Sequence, residues 1–261
     1  MSEVVVPASW VIERLADVTA VDVRDEWEFD GIGHIPGAVN IPFDRFRSED
    51  HDEGGEGMLP GEDAFAALLS EAGITREDQL VAYDDHHGVF AARFLVTAEL
   101  YGHPRGRLHL LDGDFSAWQR EYDTTTDRTA IEPTTYETRP PTDTPLVDAE
   151  TVAAAVEDSE TVIVDTREQW EFEEARIPGA VRLDWRELVD DTTRGLKPRE
   201  EIESVLAAHG ITRDRPVLLY CNTARRISHT YTVLRHLGHE DVGFYEGSLT
   251  EWQAADRPVE P

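Results

Sequence analysis

The sequence predicts an α/β protein of two tandem domains, each a mainly parallel sheet with helices on both faces. Two observations carry the prediction. Short β-branched runs alternate with apolar-periodic segments of helical length, the pattern of parallel strands joined by helical crossovers. The chain also repeats itself. Val21-Asp22-Val23-Arg24-Asp25-Glu26-Trp27-Glu28-Phe29 followed by Ile35-Pro36-Gly37-Ala38 returns as Val164-Asp165-Thr166-Arg167-Glu168-Gln169-Trp170-Glu171-Phe172 followed by Ile177-Pro178-Gly179-Ala180. Ala82-Tyr83-Asp84 is matched by Leu219-Tyr220-Cys221, and Leu111-Asp112-Gly113 with Trp118 by Tyr245-Glu246-Gly247 with Trp252. Three landmarks in the same order mark a duplicated domain.

In the first half, apolar spacing predicts a helix over 10–15, then a strand over 18–23 that ends at the Asp-x-Arg sequence. A helix over 62–72 follows and stops at Gly73, the residue type favoured just past a helix end. Strands at 79–83 and 108–111 flank a helix at 90–101. The second half repeats the order: helix 149–156, strand 161–165, helix 198–209 stopped by Gly210, strand 216–220, helix 226–237 and strand 242–245. From Asp123 to Pro145 the sequence is rich in Thr and Pro and loses apolar periodicity, as in a linker. The domains therefore span 1–125 and 146–261, with 126–145 between them. Trp27, Trp118, Trp170 and Trp252 recur in both halves, and core packing explains such repetition better than ligand binding.

Composition narrows the function. The 261 residues carry 54 Asp and Glu against 24 Lys and Arg, a net charge of −30. So negative a surface disfavours nucleic acid and anionic membranes as partners, and small anions unless positive charge is gathered locally. Lys197 is the single lysine, and hydrophobic content is too high for a disordered chain. This balance matches a protein of a high-salt cytoplasm, with a merely acidic mesophilic protein as the alternative. One cysteine can form neither an internal disulfide nor a Cys-rich zinc site. The first residues lack a basic leader and a long apolar core, and no apolar run approaches 18 residues, so a cytoplasmic location is expected. The acidic, Gly-rich segment 48–57 lacks the ligand spacing of a calcium loop and reads as solvated. No metal is expected.

The lone thiol draws the chemistry to one place. Tyr220-Cys221-Asn222-Thr223-Ala224-Arg225-Arg226 lies at the carboxyl end of an expected strand and opens a helix, the edge at which open α/β sheets bind ligands. There the free N–H groups of the helix start, and Arg225 and Arg226 nearby, favour thiolate over thiol. Cys221 is the candidate nucleophile.

Taken together, Asp-x-Arg, Ile-Pro-Gly-Ala, Tyr-Cys-x4-Arg and Tyr-Glu-Gly-Ser-Leu-Thr-Glu-Trp resemble the rhodanese family. Two copies with a cysteine only in the second are similar to its thiosulfate and 3-mercaptopyruvate sulfurtransferases. The resemblance implies a catalytic second domain and an inactive first domain with Asp84 in place of the cysteine. It implies that Cys221 takes a sulfane sulfur from a small anionic donor, holds it as a persulfide and passes it to cyanide or a thiol. Backbone N–H groups of Asn222, Thr223 and Ala224 would cradle the sulfur, and no cofactor is implied. Phosphatases of similar design use Cys-x5-Arg, whereas the arginines here stand fourth and fifth after Cys221 and Ile227 stands sixth, a count that favours sulfur over phosphorus. The loop matches neither the Cys-Gly-x-Gly-Val-Thr of mercaptopyruvate enzymes nor the basic pattern of thiosulfate enzymes. The His-x-Leu-Pro segment of mercaptopyruvate enzymes is Gly57-Met58-Leu59-Pro60 here, so its histidine is missing, although the neighbouring acid remains as Asp44. Thiosulfate is therefore the expected donor and 3-mercaptopyruvate the second choice.

Arg225, Arg226, Arg167 and Arg176 are the candidate substrate clamps, because guanidinium forks suit sulfonate and carboxylate oxygens. Arg24 occupies the place of Arg167 in the copy without a thiol, so a structural ion pair with Asp165 or a glutamate is the alternative there. Arg176 replaces His34 of the first copy. His229 and His236 fall at helical spacing and are assigned no catalytic role. A persulfide carrier that docks a sulfur-carrier or tRNA-modifying protein is the alternative to an enzyme acting on small donors.

Overall fold

A computed structural model describes residues 3–48 and 58–261. The acidic segment 48–57 thus lies outside the described residues, Ser48 excepted. The chain divides into two compact units: residues 3–48, 59–144 and 190–196 form the first, and residue 58, 145–189 and 197–261 the second.

The first unit runs β1 (Val5–Pro7), α1 (Ala8–Glu13), β2 (Thr19–Asp22), α2 (Glu26–Gly31), β3 (Val39–Asn40), α3 (Glu62–Glu71), β4 (Leu80–Tyr83), α4 (Val89–Leu100), β5 (Leu108–Asp112) and α5 (Phe115–Trp118). Its five strands are parallel in the order β1-β5-β4-β2-β3. Alternation along the strands explains how one sheet makes two cores. Leu80, Ala82, Val21 and Leu110 pack with Phe65, Phe94 and Leu95 on one face, while Val81, Tyr83, Ala20 and Leu111 pack with Val11, Phe29, Phe115 and Trp118 on the other.

The second unit repeats the plan with α6 (Ala149–Glu157), β6 (Val162–Asp165), α7 (Gln169–Glu174), β7 (Val181–Arg182), α8 (Arg199–Ala208), β8 (Val217–Tyr220), α9 (Arg225–Leu237), β9 (Val242–Phe244) and α10 (Ser248–Ala254). The strand order is β7-β6-β8-β9, all parallel. The counterpart of β1 shrinks to one bridge between Leu146 and Phe244. The parallel, helix-covered sheets expected from the sequence are present in both units. The strands β1, β3 and β7, of two or three residues, and the short helices α2, α5, α7 and α10 are additions, too brief to produce a periodic signal.

One expectation fails. Trp118 and Trp252 are each 1% exposed, but Trp27 and Trp170 are 65% and 62% exposed. The exposed pair stand in the first turns of α2 and α7, where each indole N–H donates to the carboxylate of the preceding N-cap residue, Asp25 or Glu168. Repetition marked a shared capping contact there, not shared burial.

Residues 126–144 form no helix or strand, but they pack along the first unit. The Thr134 N–H donates to Ser70 O at 2.9 Å, the Arg139 N–H to Tyr101 O at 2.9 Å, and the buried Tyr136 hydroxyl meets His103 Nδ1 at 3.0 Å. Gly102, at φ +90°, permits the close approach, since a Cβ there would run into the Arg139 carbonyl. Segment 190–196 also belongs to this unit. The Arg194 Nε donates to both oxygens of the fully buried Asp114 at 2.7 and 2.8 Å, and Leu196 N–H donates to Asp112 at 2.8 Å. A buried carboxylate requires such a partner, and nothing in the local sequence announces it.

Candidate active site

Strand β8 is buried along its whole length and delivers Cys221 at its carboxyl end. The Cys221 N–H donates to Ser248 Oγ at 3.1 Å, and Cys221 O accepts from Leu249 N–H at 3.0 Å. Ser248 in turn donates to Tyr245 O at 2.9 Å, and Thr250 Oγ1 donates to Asn222 O at 3.0 Å. The start of α10 thus braces the cysteine loop from one side. Cys221 itself is 2% exposed.

Four residues after Cys221, α9 begins at Arg225 behind Ala224, which is fully buried at φ +58°. A left-handed alanine costs on the order of 1 kcal/mol, and the bond from Arg225 N–H to Thr223 O at 2.8 Å closes the tight turn. That N–H is therefore directed within the loop.

A second brace comes from α7. The Glu171 carboxylate accepts from its own capping partner Glu168 N–H at 3.0 Å, from Asn222 Nδ2 at 2.7 Å and from Arg226 Nη1 at 2.5 Å. Burial pushes the Glu171 carboxyl up, but these three donors outweigh it and hold the group below the usual carboxylate range. Of the expected site residues, Cys221, Asn222, Thr223, Ala224, Arg225 and Arg226 are thus gathered on one loop. Glu171 is the member that sequence reasoning missed. Its equivalent Glu28 is present in the first copy, so the repeat concealed the difference.

The other two arginines are committed elsewhere. Arg167 is 4% exposed. Its Nε and Nη2 engage both Asp165 oxygens, and Nη2 also donates to Ala175 O at 2.6 Å. Arg24 does the same with Asp22 and Gly33 O in the copy that has no thiol, so the ion-pair alternative describes both. Arg176 stacks on Phe172, its Nη1 donates to Pro261 O, and its backbone bridges to Glu260. His34 in the first copy makes the matching bridge to Thr125. His229 is buried and its ring lies 5.1 Å from that of Trp185, edge to face.

The first copy shows what such a loop holds. Asp84 follows Tyr83 as Cys221 follows Tyr220, and its carboxylate accepts four backbone N–H bonds: from His86 at 2.7 Å, Gly88 at 2.8 Å, Phe90 at 2.8 Å and Ala91 at 3.0 Å. Burial raises the Asp84 carboxyl above its ordinary value while these donors pull it back. The loop is a nest for an anion. It differs from the cysteine loop in length, for α4 starts five residues after Asp84, behind Gly88 at φ +82°.

Among the described residues no group of three or more His, Cys, Asp or Glu could hold a metal ion, and no helix is long and apolar enough to cross a membrane.

A model of the rhodanese-like domain matches the chain twice, at residues 7–121 and 148–255. The chain is 30% identical over 271 residues to a putative thiosulfate sulfurtransferase of Mycobacterium bovis, covering 96% of this chain and 94% of that one. It is 32% identical over 239 residues to a thiosulfate sulfurtransferase of Pseudomonas aeruginosa, covering 87% and 86%. In fold it is similar to SseA from Escherichia coli, a 3-mercaptopyruvate sulfotransferase, with TM-score 0.79 and 24% identity over 94% of this chain and 98% of the other. With the family model matched in both halves, the chain belongs to the rhodanese-like domain family.

Proposed function

We propose that the protein is a sulfurtransferase that moves a sulfane sulfur from thiosulfate through a persulfide on Cys221 to cyanide or a thiol. The observation that carries this reading is the pairing of a lone cysteine with a strand-to-helix loop whose counterpart wraps four N–H groups around a carboxylate. The names of the relatives support it. In the first step the Cys221 thiolate attacks the outer sulfur of thiosulfate, the S–S bond breaks, and sulfite leaves with the electron pair. In the second, cyanide or a thiolate attacks the terminal persulfide sulfur and Cys221 recovers its negative charge. Both thiolate and persulfide are anions, and the N–H groups of Asn222, Thr223 and Ala224 stabilise them. The near-complete burial of Cys221 suits a donor with one projecting sulfur atom. Arg225 and Arg226 supply positive charge for a dianionic donor on so negative a chain, that of Arg226 reduced by its ion pair with Glu171, while Arg167 and Arg176 serve the fold in this reading. The acidic surface suits a salt-rich cytoplasm, where the screening length falls to about 3 Å at molar salt.

Sulfite release from thiosulfate with cyanide, measured beside pyruvate release from 3-mercaptopyruvate at moderate and high salt, tests the assignment. Faster turnover with thiosulfate is expected. Faster turnover with 3-mercaptopyruvate reverses the donor, and no turnover with either, alongside sulfur delivery to a carrier protein, favours a relay.

A further inference from the structure

We propose that Glu171 sets the donor-charge selectivity of the cysteine loop by offsetting the positive charge of Arg226. The pair is close, at 2.5 Å, and shielded, with side-chain exposures of 20% for Arg226 and 7% for Glu171. Poor solvation makes such a pair act on its surroundings more as a dipole than as a separate cation. The carboxylate stays ionised, because Glu168 N–H and Asn222 Nδ2 hold it together with Arg226. Asn222 directly follows the cysteine and Arg226 lies in the first turn of α9, so one carboxylate regulates both ends of the loop and the field across it. Glu171 is a positioning and specificity residue acting through Arg226.

The first unit supplies the internal control. Glu28 occupies the same place in the same capping box, accepting from Asp25 N–H at 3.1 Å. The residues standing where Asn222 and Arg226 stand are Asp85 and Phe90, which give Glu28 no cation to offset. Arg24 acts on Glu28 as Arg167 acts on Glu171, so among the described residues what sets the thiol-bearing unit apart is the loop cation Arg226 paired with this glutamate. Since thiosulfate is a dianion and 3-mercaptopyruvate with its thiol protonated a monoanion, the charge at the loop discriminates between them.

The donor comparison rests on the sulfurtransferase reading, so a second readout is independent of turnover. Iodoacetate and iodoacetamide alkylate the same thiolate, and the ratio of their rates reports the potential at the Cys221 sulfur, with the thiolate fraction cancelling. Glu171→Gln should raise the iodoacetate-to-iodoacetamide ratio about three- to tenfold at low salt, the Coulomb effect of one unscreened charge nearby. It should also raise the thiosulfate-to-mercaptopyruvate ratio of kcat/KM, chiefly through KM. Arg226→Gln should lower the alkylation ratio by a similar factor, and the double variant should return it close to wild type. Glu171→Asp should keep the wild-type ratio, and so should Glu28→Gln. A ratio unchanged in both Glu171→Gln and Arg226→Gln overturns the proposal and leaves Glu171 as a brace for the fold alone. Should Glu171→Gln not fold, the double variant decides against Arg226→Gln: a ratio restored toward wild type upholds the proposal, and a ratio no higher than that of Arg226→Gln overturns it. Shifted alkylation ratios in a protein that turns over neither donor would uphold the role of Glu171 while refuting the sulfurtransferase assignment.

Discussion

Strands β4 and β8 end on the same residue, a buried tyrosine whose hydroxyl accepts an N–H bond at 3.1 Å from Ile35 in one unit and Ile177 in the other, and the loops that follow diverge. The Asp84 loop is filled: a carboxylate occupies its ring of N–H groups, and Arg194 and Asp114 lock it from outside. The Cys221 loop is one residue shorter before its helix, starts from a thiol, and is tied through Asn222 and Arg226 to Glu171. One scaffold thus yields an anion nest that is permanently satisfied and another whose anion, in the proposed reaction, comes and goes as thiolate and persulfide. The two copies therefore differ by more than a sulfur atom.

Substitutions that exchange the two residues probe that difference most strongly. Cys221→Ser should retain the fold and leave less than about one per cent of sulfur transfer, because a hydroxyl neither ionises at neutral pH nor carries a transferable sulfur. Asp84→Cys should gain no activity, since its loop is longer and lacks the arginine pair. Comparable turnover from an Asp84→Cys, Cys221→Ser double variant would show that only the thiol distinguishes the copies.

The repeated tryptophans offer a stability comparison. Trp118→Ala and Trp252→Ala each empty a core site and should cost about 3–5 kcal/mol, whereas Trp27→Ala and Trp170→Ala should stay within about 1 kcal/mol. Denaturant titration of the four variants measures the contrast. Asp84→Ala strips four N–H groups of their acceptor in a buried loop and should destabilise the first unit by about 2–4 kcal/mol. The matching Cys221→Ala should cost less than half of that.

Acid should separate the two units by a smaller margin. Burial, working against the Asp78 carbonyl that accepts from its ring, brings His103 in the first unit down to about 4. The unfolded chain then takes up its proton near pH 6.5 and the folded chain does not. Stability from this group is complete above pH 6.5 and declines as pH falls toward 4, by roughly 3 kcal/mol in all. His103→Gln should flatten the pH dependence of unfolding in that window. An unchanged slope would remove His103 as its cause.

Local patterns made the duplication, the parallel sheets and the cysteine legible in the sequence. Strand runs, glycine stops and the strand–loop–helix around Cys221 each span a few residues, and each is written in residue types. What escaped depends on distance or on register. Glu171 meets Asn222 and Arg226 across about fifty positions, and Arg194 reaches Asp114 across 80. The extra residue of the Asp84 loop appears only when helix starts are compared, because Gly88 and Ala224 both take the left-handed conformation and only one of them is a glycine. Trp27 and Trp170 misled for the opposite reason. Their repetition was plain, but what repeats is an N-cap contact at the surface.

In the proposed reaction Cys221 alone carries the sulfur. Mass spectrometry of the intact protein and its peptides after thiosulfate treatment addresses it directly. One added sulfur is expected, on the peptide containing Cys221, removed by cyanide and absent from Cys221→Ser. Sulfite release by wild-type protein with no added sulfur at any point, or an added sulfur that persists in Cys221→Ser, would contradict it.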